Sequence, residues 1–85
     1  MEVKTIEIYS TPTCGFCQMI KAYLQSKGVK YIEYDLSEDS GKAREMMELS
    51  GQGGVPVTII NRGQEDQVIV VGFNKPRIDE LLGLN

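Results

Sequence analysis

The spacing of apolar residues changes its period along this chain. Ile6 and Ile8 alternate with polar neighbours, which is typical of a strand. The apolar residues that follow recur every three or four positions, the period of a helix: Phe16, Ile20, Tyr23 and Leu24. Continued to its end, the pattern predicts strand 4–9, a helix from Cys14 to Gly28, strand 30–35, a helix from Ser37 to Gly51, strands 57–60 and 68–71, and a helix after Asn74.

Capping residues support two of the predicted helix starts. Ser37 is expected to cap the second helix, with Glu38 and Asp39 in its positively polarised first turn. Asn74 is expected to cap the last helix, and Pro76 is tolerated in its first turn because N–H groups there lack a partner within the helix. The apolar side of the second helix is predicted to fill the core with Ala43, Met46, Met47 and Leu49.

The order of these elements defines the predicted fold. A strand–helix–strand start implies a right-handed crossover between parallel strands, and the polar loop 61–66 suggests an antiparallel hairpin. The runs 57–60 and 68–71 carry apolar residues on both faces, as expected of strands that are covered from both sides. We therefore predict a single α/β domain over residues 1–85, with a four-stranded mixed sheet and flanking helices, since 85 residues are too few for two domains.

The charge and the apolar runs exclude several classes of function. The chain has 12 acidic and 9 basic residues, a net charge of −3 and no basic block, which argues against a nucleic-acid partner. Its longest apolar runs, 55–60 and 68–71, are far shorter than the roughly 20 residues that cross a bilayer. The first five residues lack the apolar core of a signal peptide. We expect a monomer in the cytoplasm, with no membrane partner.

The two cysteines, Cys14 and Cys17, lie in one tetrapeptide between the first strand and the first helix. In a reducing compartment, a pair at this spacing is more often catalytic or metal-binding than structural. Cys14 falls at the helix N-terminus, where unpaired N–H groups and the helix dipole lower the pKa of a thiol and favour the reactive thiolate. Cys17 follows one turn later, close enough to attack a mixed disulfide at Cys14. The predicted chemistry is thiol–disulfide exchange.

A metal half-site is the alternative to redox chemistry. Structural zinc takes four nitrogen or sulfur ligands, whereas this chain has two cysteines and no histidine. Only a dimer that shares two pairs could complete the set. An iron–sulfur or metal carrier of that kind therefore stays open, while the redox interpretation requires no bound metal and no cofactor.

A second motif, Gly53-Gly54-Val55-Pro56-Val57, opens the third predicted strand. Proline removes a hydrogen-bond donor from a sheet ladder, so its presence here needs an explanation. Either the strand simply begins after a glycine-rich turn, or the Val55–Pro56 peptide is cis and exposes the Val55 backbone to a partner strand. Only a few per cent of such bonds are cis in folded proteins.

The two motifs together resemble the glutaredoxin family of the thioredoxin superfamily. Cys14-x-x-Cys17 after a strand, followed later by Val55-Pro56, is similar to that family, and the similarity covers nearly the whole chain. The pattern near the end most resembles the redoxins that feed electrons to ribonucleotide reductase: Gly72-Phe73-x-x-x-x-Ile78. The resemblance implies the thioredoxin fold in its glutaredoxin-like form, β-α-β-α-β-β-α.

The same resemblance implies a place for each site residue. It implies a cis Pro56 that faces the cysteines and a Val55 backbone that offers its N–H and C=O to an extended substrate segment. It also places Phe73 beside the cysteines, either to anchor a partner or to pack in the core. The candidate catalytic residues are Cys14 and Cys17, and the candidate substrate-binding residues are Thr13, Phe16, Val55, Pro56 and Phe73.

Three positions depart from the pattern of the glutathione-using members. Those members place a lysine three residues before the first cysteine, where this chain has Thr11. They place an acidic pair after the fourth strand, where this chain has Asn74 and Lys75. Because the charged anchors for glutathione are missing, a thioredoxin-reductase-type flavoenzyme is the expected reductant.

The sequence therefore predicts a cytoplasmic dithiol electron carrier that serves cell redox homeostasis as a thiol–disulfide oxidoreductase. Cys14 attacks a disulfide in a protein substrate, Cys17 resolves the mixed disulfide, and a reductase resets the pair. Ribonucleotide reductase or a peroxiredoxin would fit as the substrate.

Overall fold

The computed structural model describes residues 2–84. Its strands and helices follow one another as β1 Ile6–Ser10, α1 Gly15–Ser26, β2 Ile32–Asp35, α2 Ser40–Ser50, β3 Val57–Ile60, β4 Val68–Val71 and α3 Lys75–Leu82. This order confirms the predicted sequence of elements. The first strand starts two residues later than predicted, because the backbone N–H groups of Lys4 and Thr5 donate to the side chain of Asn61 and not to a neighbouring strand.

The four strands form one mixed sheet in the order β2-β1-β3-β4. β1 pairs in parallel with β2 and antiparallel with β3, and β3 pairs antiparallel with β4. The register sets Tyr9 between Tyr34 and Val57. Because β1 is central and covered on both faces, all five of its residues are buried, including those that the alternating pattern marked as polar.

One face of the sheet packs against α1 and α3. Ile6 and Ile8 point to this face, since alternate side chains of a strand share a side. They meet buried residues of the two helices and of β4, namely Ile20, Leu24, Val70 and Ile78. This cluster fixes α1, the helix that follows the cysteine pair, to the centre of the sheet.

The other face of the sheet packs against α2, and its core is more polar. Its fully buried residues are Tyr9, Met46, Val57 and Ile59. Beside them, the Tyr34 hydroxyl donates to Glu7 at 2.7 Å. Arg62 donates to the Tyr9 hydroxyl at 3.2 Å, lies 3.4 Å from Glu7 and pairs with Glu45 of α2. We call Glu7, Tyr9, Tyr34, Glu45 and Arg62 the α2-face network.

The predicted cap of α2 is wrong. The N-cap residue is Asp39, whose carboxylate accepts the backbone N–H of Lys42 at 3.1 Å. Ser37 is already engaged with Asp35, which accepts both its backbone N–H at 2.9 Å and its hydroxyl at 2.6 Å. Glu38 therefore also lies before the helix and not in its first turn.

Two predictions of burial are corrected as well. β4 is an edge strand that pairs with β3 alone, so Val71 is 49% exposed and the strand is not covered throughout. On α2 only Met46 is fully buried, and Met47 is 54% exposed instead of filling the core. The run 57–60, in contrast, is buried at every position, as predicted.

Candidate active site

The cysteine pair lies where β1 passes into α1. Cys14 is the N-cap residue of α1, in extended backbone conformation, and Cys17 lies in the first turn. The two residues form a disulfide with their Cα atoms 5.2 Å apart. The pair predicted from the sequence is therefore brought together at the predicted end of the helix.

The sulfur of Cys14 serves as the helix cap. Its Sγ accepts the backbone N–H of Cys17 at 3.1 Å, a role that serine, threonine or aspartate usually fills. No acidic residue lies in the first turn of α1. The N–H group and the positive end of the helix dipole would both stabilise negative charge on this sulfur when the disulfide is opened.

Exposure distinguishes the two cysteines. Cys17 is fully buried, whereas Cys14 keeps part of its surface in contact with solvent. A partner molecule can therefore reach Cys14 but not Cys17. This asymmetry suits one cysteine to intermolecular exchange and the other to an attack from within the molecule.

The segment before β3 supplies the second wall of the site. The Val55–Pro56 peptide is cis, as the family resemblance implies. The carbonyl oxygen of Val55 lies 3.7 Å from Cys14 Sγ. Pro56 is buried, and its carbonyl accepts the backbone N–H of Gly72 at 2.8 Å, which ties the segment to the end of β4.

The remaining predicted site residues lie at different depths. Thr13 is exposed in the turn before Cys14, and Phe16 is 62% exposed in the first turn of α1. Phe73 is half-buried against the core of the α1 face, with its ring centroid 5.9 Å from that of Tyr23. The core-packing interpretation of Phe73 is therefore the one that the contacts favour.

Sequence reasoning missed Gln52. Its side-chain amide accepts the backbone N–H of Gly54 at 2.6 Å and donates to the carbonyl of Gly54 at 3.0 Å. It thereby holds the segment that leads to Val55. A glutamine before two glycines carries no recognised motif, so only the three-dimensional contacts reveal it.

Charged side chains are absent from the segments that form the site. Positions 10–20, 49–61 and 67–74 contain no Asp, Glu, Lys or Arg. The nearest cation along α1, Lys21, is paired with Glu33 at 2.7 Å, and this ion pair lowers the pKa of Glu33. Lys75 is paired with Asp79 at 2.9 Å. The segments that form the site therefore contribute no charged side chain of their own, and the two lysines that flank them are each paired with a carboxylate.

The described residues offer no further metal ligands at this place. Within residues 2–84, no group of three or more His, Cys, Asp or Glu side chains converges in a way that could hold a metal ion. A carrier of the metal-binding kind would thus need ligands from a second molecule. In the same part of the chain, no helix has the length and apolar character needed to cross a membrane.

Comparison with known proteins places this fold and site in a class. Among solved structures, the thioredoxin-like protein BC3987 is similar, with a TM-score of 0.78 and 25% identity, over 91% of this chain and 99% of that one. The fold is the thioredoxin fold, and the cysteine pair occupies the start of its first helix. The class is therefore that of thioredoxin-fold proteins with a redox cysteine pair.

Sequence similarity narrows the class to a family. The glutaredoxin family model matches residues 6–64. A glutaredoxin-like 8.6 kDa protein in the rubredoxin operon of Clostridium pasteurianum is 46% identical, over 91% of this chain and 96% of its own length. Glutaredoxin 3 of Escherichia coli is 39% identical over 66% of this chain and 68% of its own length. The chain belongs to the glutaredoxin family, which implies thiol–disulfide oxidoreductase activity.

Proposed function

We propose that this protein is a dithiol electron carrier that reduces disulfides in other proteins. The observation that carries the proposal is the unequal exposure of the two cysteines at the start of α1. Cys14 is accessible and capped by an N–H group, while Cys17 is buried directly behind it. The proposal includes the cytoplasmic setting expected from the sequence, where thiols are kept reduced.

The reaction moves two electrons from the cysteine pair to the substrate. The Cys14 thiolate attacks one sulfur of the substrate disulfide, so a Cys14–substrate bond forms while the substrate S–S bond breaks and one substrate thiolate leaves. Cys17 then loses its proton and attacks Cys14 Sγ, which releases the second substrate sulfur and forms the Cys14–Cys17 disulfide. The departing sulfur takes up a proton from the surroundings. The substrate is reduced and the pair is oxidised.

The lack of charged side chains in the segments that form the site favours a protein partner over glutathione. Glutathione carries two carboxylates and an amine, and Thr11 and Asn74 offer no complementary charge. The Lys75 ammonium is already compensated by Asp79. Exposed charge contacts contribute about 0.2–1 kcal/mol each, so losing several weakens binding by about tenfold. We therefore propose a thioredoxin-reductase-type flavoenzyme as the electron source.

An apolar surface beside Cys14 supports docking of a protein substrate. Phe16 is 62% and Met19 is 52% exposed. Three positions apart on α1, these side chains are neighbours on the helix surface. They offer a partner an apolar contact that requires no charge on its surface.

The assignment of roles is tested with serine variants. Cys14→Ser should abolish reduction of a protein disulfide, whereas Cys17→Ser should complete the first attack and stall as a stable mixed disulfide. Mass spectrometry of the trapped species, formed in cell extract, would also identify the physiological substrate, including ribonucleotide reductase or a peroxiredoxin. A Cys14→Ser variant that keeps its activity, or a Cys17→Ser variant that traps nothing, would contradict the proposed chemistry.

The electron source is tested by comparing two reducing systems on one disulfide substrate. Wild type should turn over faster with a thioredoxin-reductase-type system than with glutathione and glutathione reductase. Thr11→Lys restores one missing cation and should raise the glutathione-dependent rate about two- to fivefold. The matched control Gln64→Lys adds the same charge to the exposed loop after β3, at the end of the sheet away from Cys14, and should leave the rate unchanged. Equal or faster wild-type rates with glutathione would overturn the proposed reductant and leave the cysteine chemistry intact.

A further inference from the structure

The segment between α2 and β3 is held by one side chain. The Gln52 amide satisfies both backbone polar groups of Gly54, accepting its N–H at 2.6 Å and donating to its carbonyl at 3.0 Å. The same amide also donates to the hydroxyl of Ser50 at 3.1 Å. Ser50 in turn donates to the backbone of the last α2 turn, at Met46, over 2.7 Å. A chain of hydrogen bonds therefore connects the end of α2 to Gly54.

These bonds act next to the reactive sulfur. Gly54 precedes Val55, whose carbonyl oxygen lies 3.7 Å from Cys14 Sγ. A Gly53-Gly54 pair without restraint would sample many backbone conformations, since glycine has the largest conformational freedom of all residues. Pro56 is fixed in the sheet behind Val55 by its bond to Gly72. The Gln52 amide fixes the other side, so the Val55 peptide is restrained from both directions.

The glycine and the glutamine depend on each other. A Cβ atom added to Gly54 would lie 2.8 Å from Gln52 Oε1, too close for the side chain to stay in place. A Cβ atom added to Gly53 would meet nothing within 4 Å. Neither glycine has a positive φ angle, so alanine fits the backbone at both positions. The two glycines therefore form a matched pair for an experiment.

We propose that Gln52 is a positioning residue for the reduction of protein disulfides. By holding Gly54, it keeps the Val55 peptide beside Cys14 ready to bind an extended polypeptide segment on either side of the substrate disulfide. The inference rests on the proposed function. A small disulfide without a polypeptide segment makes no use of the Val55 peptide and does not depend on Gln52.

The test uses the reduced protein in single-turnover reactions, which need no reductase. Its oxidation is followed against increasing concentrations of insulin, a protein disulfide, and of bis(2-hydroxyethyl) disulfide, a small one. Gln52→Ala should raise the half-saturating insulin concentration about fivefold, the effect expected of losing one or two modest hydrogen bonds, with little change in the limiting rate. Its reaction with the small disulfide should stay within about twofold of wild type.

Three further variants separate positioning from folding. Gly54→Ala displaces the same amide and should match Gln52→Ala, and the double variant should be no worse than either single one. Gly53→Ala should behave as wild type. Gln52→Glu keeps the acceptor for the Gly54 N–H and loses the donor. Its half-saturating insulin concentration should therefore lie between those of wild type and Gln52→Ala.

Several outcomes would overturn the inference. The first is an unchanged half-saturating insulin concentration in Gln52→Ala. The second is a reaction of Gln52→Ala that is weakened equally with insulin and with the small disulfide. The third is that the effects of Gln52→Ala and Gly54→Ala add up in the double variant. Amide hydrogen exchange gives a readout that needs no substrate, because Gly54 should lose protection in Gln52→Ala while the β3 amides keep theirs. A wild-type protein that reduces neither disulfide would instead refute the proposed function, and the inference with it.

Discussion

The two faces of the central sheet are held by different forces. On the α1 side, Ile8, Ile20 and Leu24 are fully buried, and the contact consists of apolar side chains. On the α2 side only Met46 of the helix is fully buried, and the α2-face network of carboxylates, tyrosines and Arg62 supplies much of the contact. Apolar burial is largely independent of pH, whereas ion pairs and the hydrogen bonds of tyrosines depend on the ionisation of their groups, and ion pairs are also screened by salt.

The two parts of the active site are anchored on opposite faces of the sheet. The reactive sulfur belongs to α1, which is anchored by apolar burial. The Val55 peptide belongs to the segment that follows α2, which is anchored by hydrogen bonds and ion pairs. Conditions that weaken the polar contacts should therefore affect the docking side before they affect the cysteine pair.

The largest expected effect comes from the α1 face. Leu24→Ala removes a fully buried side chain and leaves a cavity, so the free energy of unfolding should fall by about 2–5 kcal/mol. Met47→Ala on α2 is the control, because Met47 is 54% exposed and its loss should cost less than about 0.5 kcal/mol. Urea denaturation measures both. Equal losses in the two variants would contradict the described packing.

A smaller effect is expected when the α2-face network is broken. Arg62→Met removes the cation that pairs with Glu7, a residue only 7% exposed, and should lower the free energy of unfolding by about 1–3 kcal/mol. Arg77→Met removes an exposed ion pair with Glu80 and should change the free energy of unfolding by less than about 0.5 kcal/mol. Urea denaturation of the two variants compares them directly. If Arg62→Met is as mild as Arg77→Met, the network does not anchor α2.

Alkaline pH should weaken the α2 face through Tyr34. The hydrogen bond to Glu7 raises the pKa of Tyr34 to about 12, against about 10 in an unfolded chain. The folded protein holds this proton more tightly, so the stabilisation is complete below about pH 10 and disappears as the pH rises towards about 12. Urea denaturation at a series of pH values should show that the free energy of unfolding falls more steeply above about pH 10 for wild type than for Tyr34→Phe. Tyr31→Phe is the control, because that hydroxyl only accepts a bond, from Gln25.

The smallest effect is that of added salt. Raising sodium chloride to about 1 M shortens the screening length to about 3 Å, which should lower the contribution of the α2-face network by about 0.2–0.5 kcal/mol. The change in the free energy of unfolding on adding salt is measured for wild type and for Arg62→Met. The difference between the two changes isolates this contribution from general effects of salt on burial. A difference of zero would mean that Arg62 acts through packing alone.

The fold was predictable from the sequence where the apolar pattern was strong. The order of elements, the mixed sheet and the place of the cysteine pair all follow from periodicity and spacing, and the structure confirms them. The errors have separate causes. Ser37 is a good cap by residue type, but Asp35 binds it first. Met47 fits the helical pattern, yet α2 buries too narrow a stripe to include it.

The candidate site was predictable only in part. Its two sulfurs follow from the C-x-x-C spacing, whereas the cis peptide before Pro56 came from family resemblance, since few such bonds are cis in general. The contacts of Gln52 depend on the path of the chain between α2 and β3, which no local pattern encodes. The predictions of a single domain, a monomer and a cytoplasmic location stay predictions.

The cap formed by Cys14 also constrains how this position can evolve. Its sulfur accepts the N–H of Cys17, so the residue both reacts and starts α1. A lineage that lost the redox role would still need an acceptor there, and serine, threonine, aspartate and asparagine supply one. A homologue with such a residue at position 14 is therefore best interpreted as a folded but inactive descendant. An alanine there would remove both the chemistry and the cap, and should destabilise the start of the helix by about 0.5–2 kcal/mol.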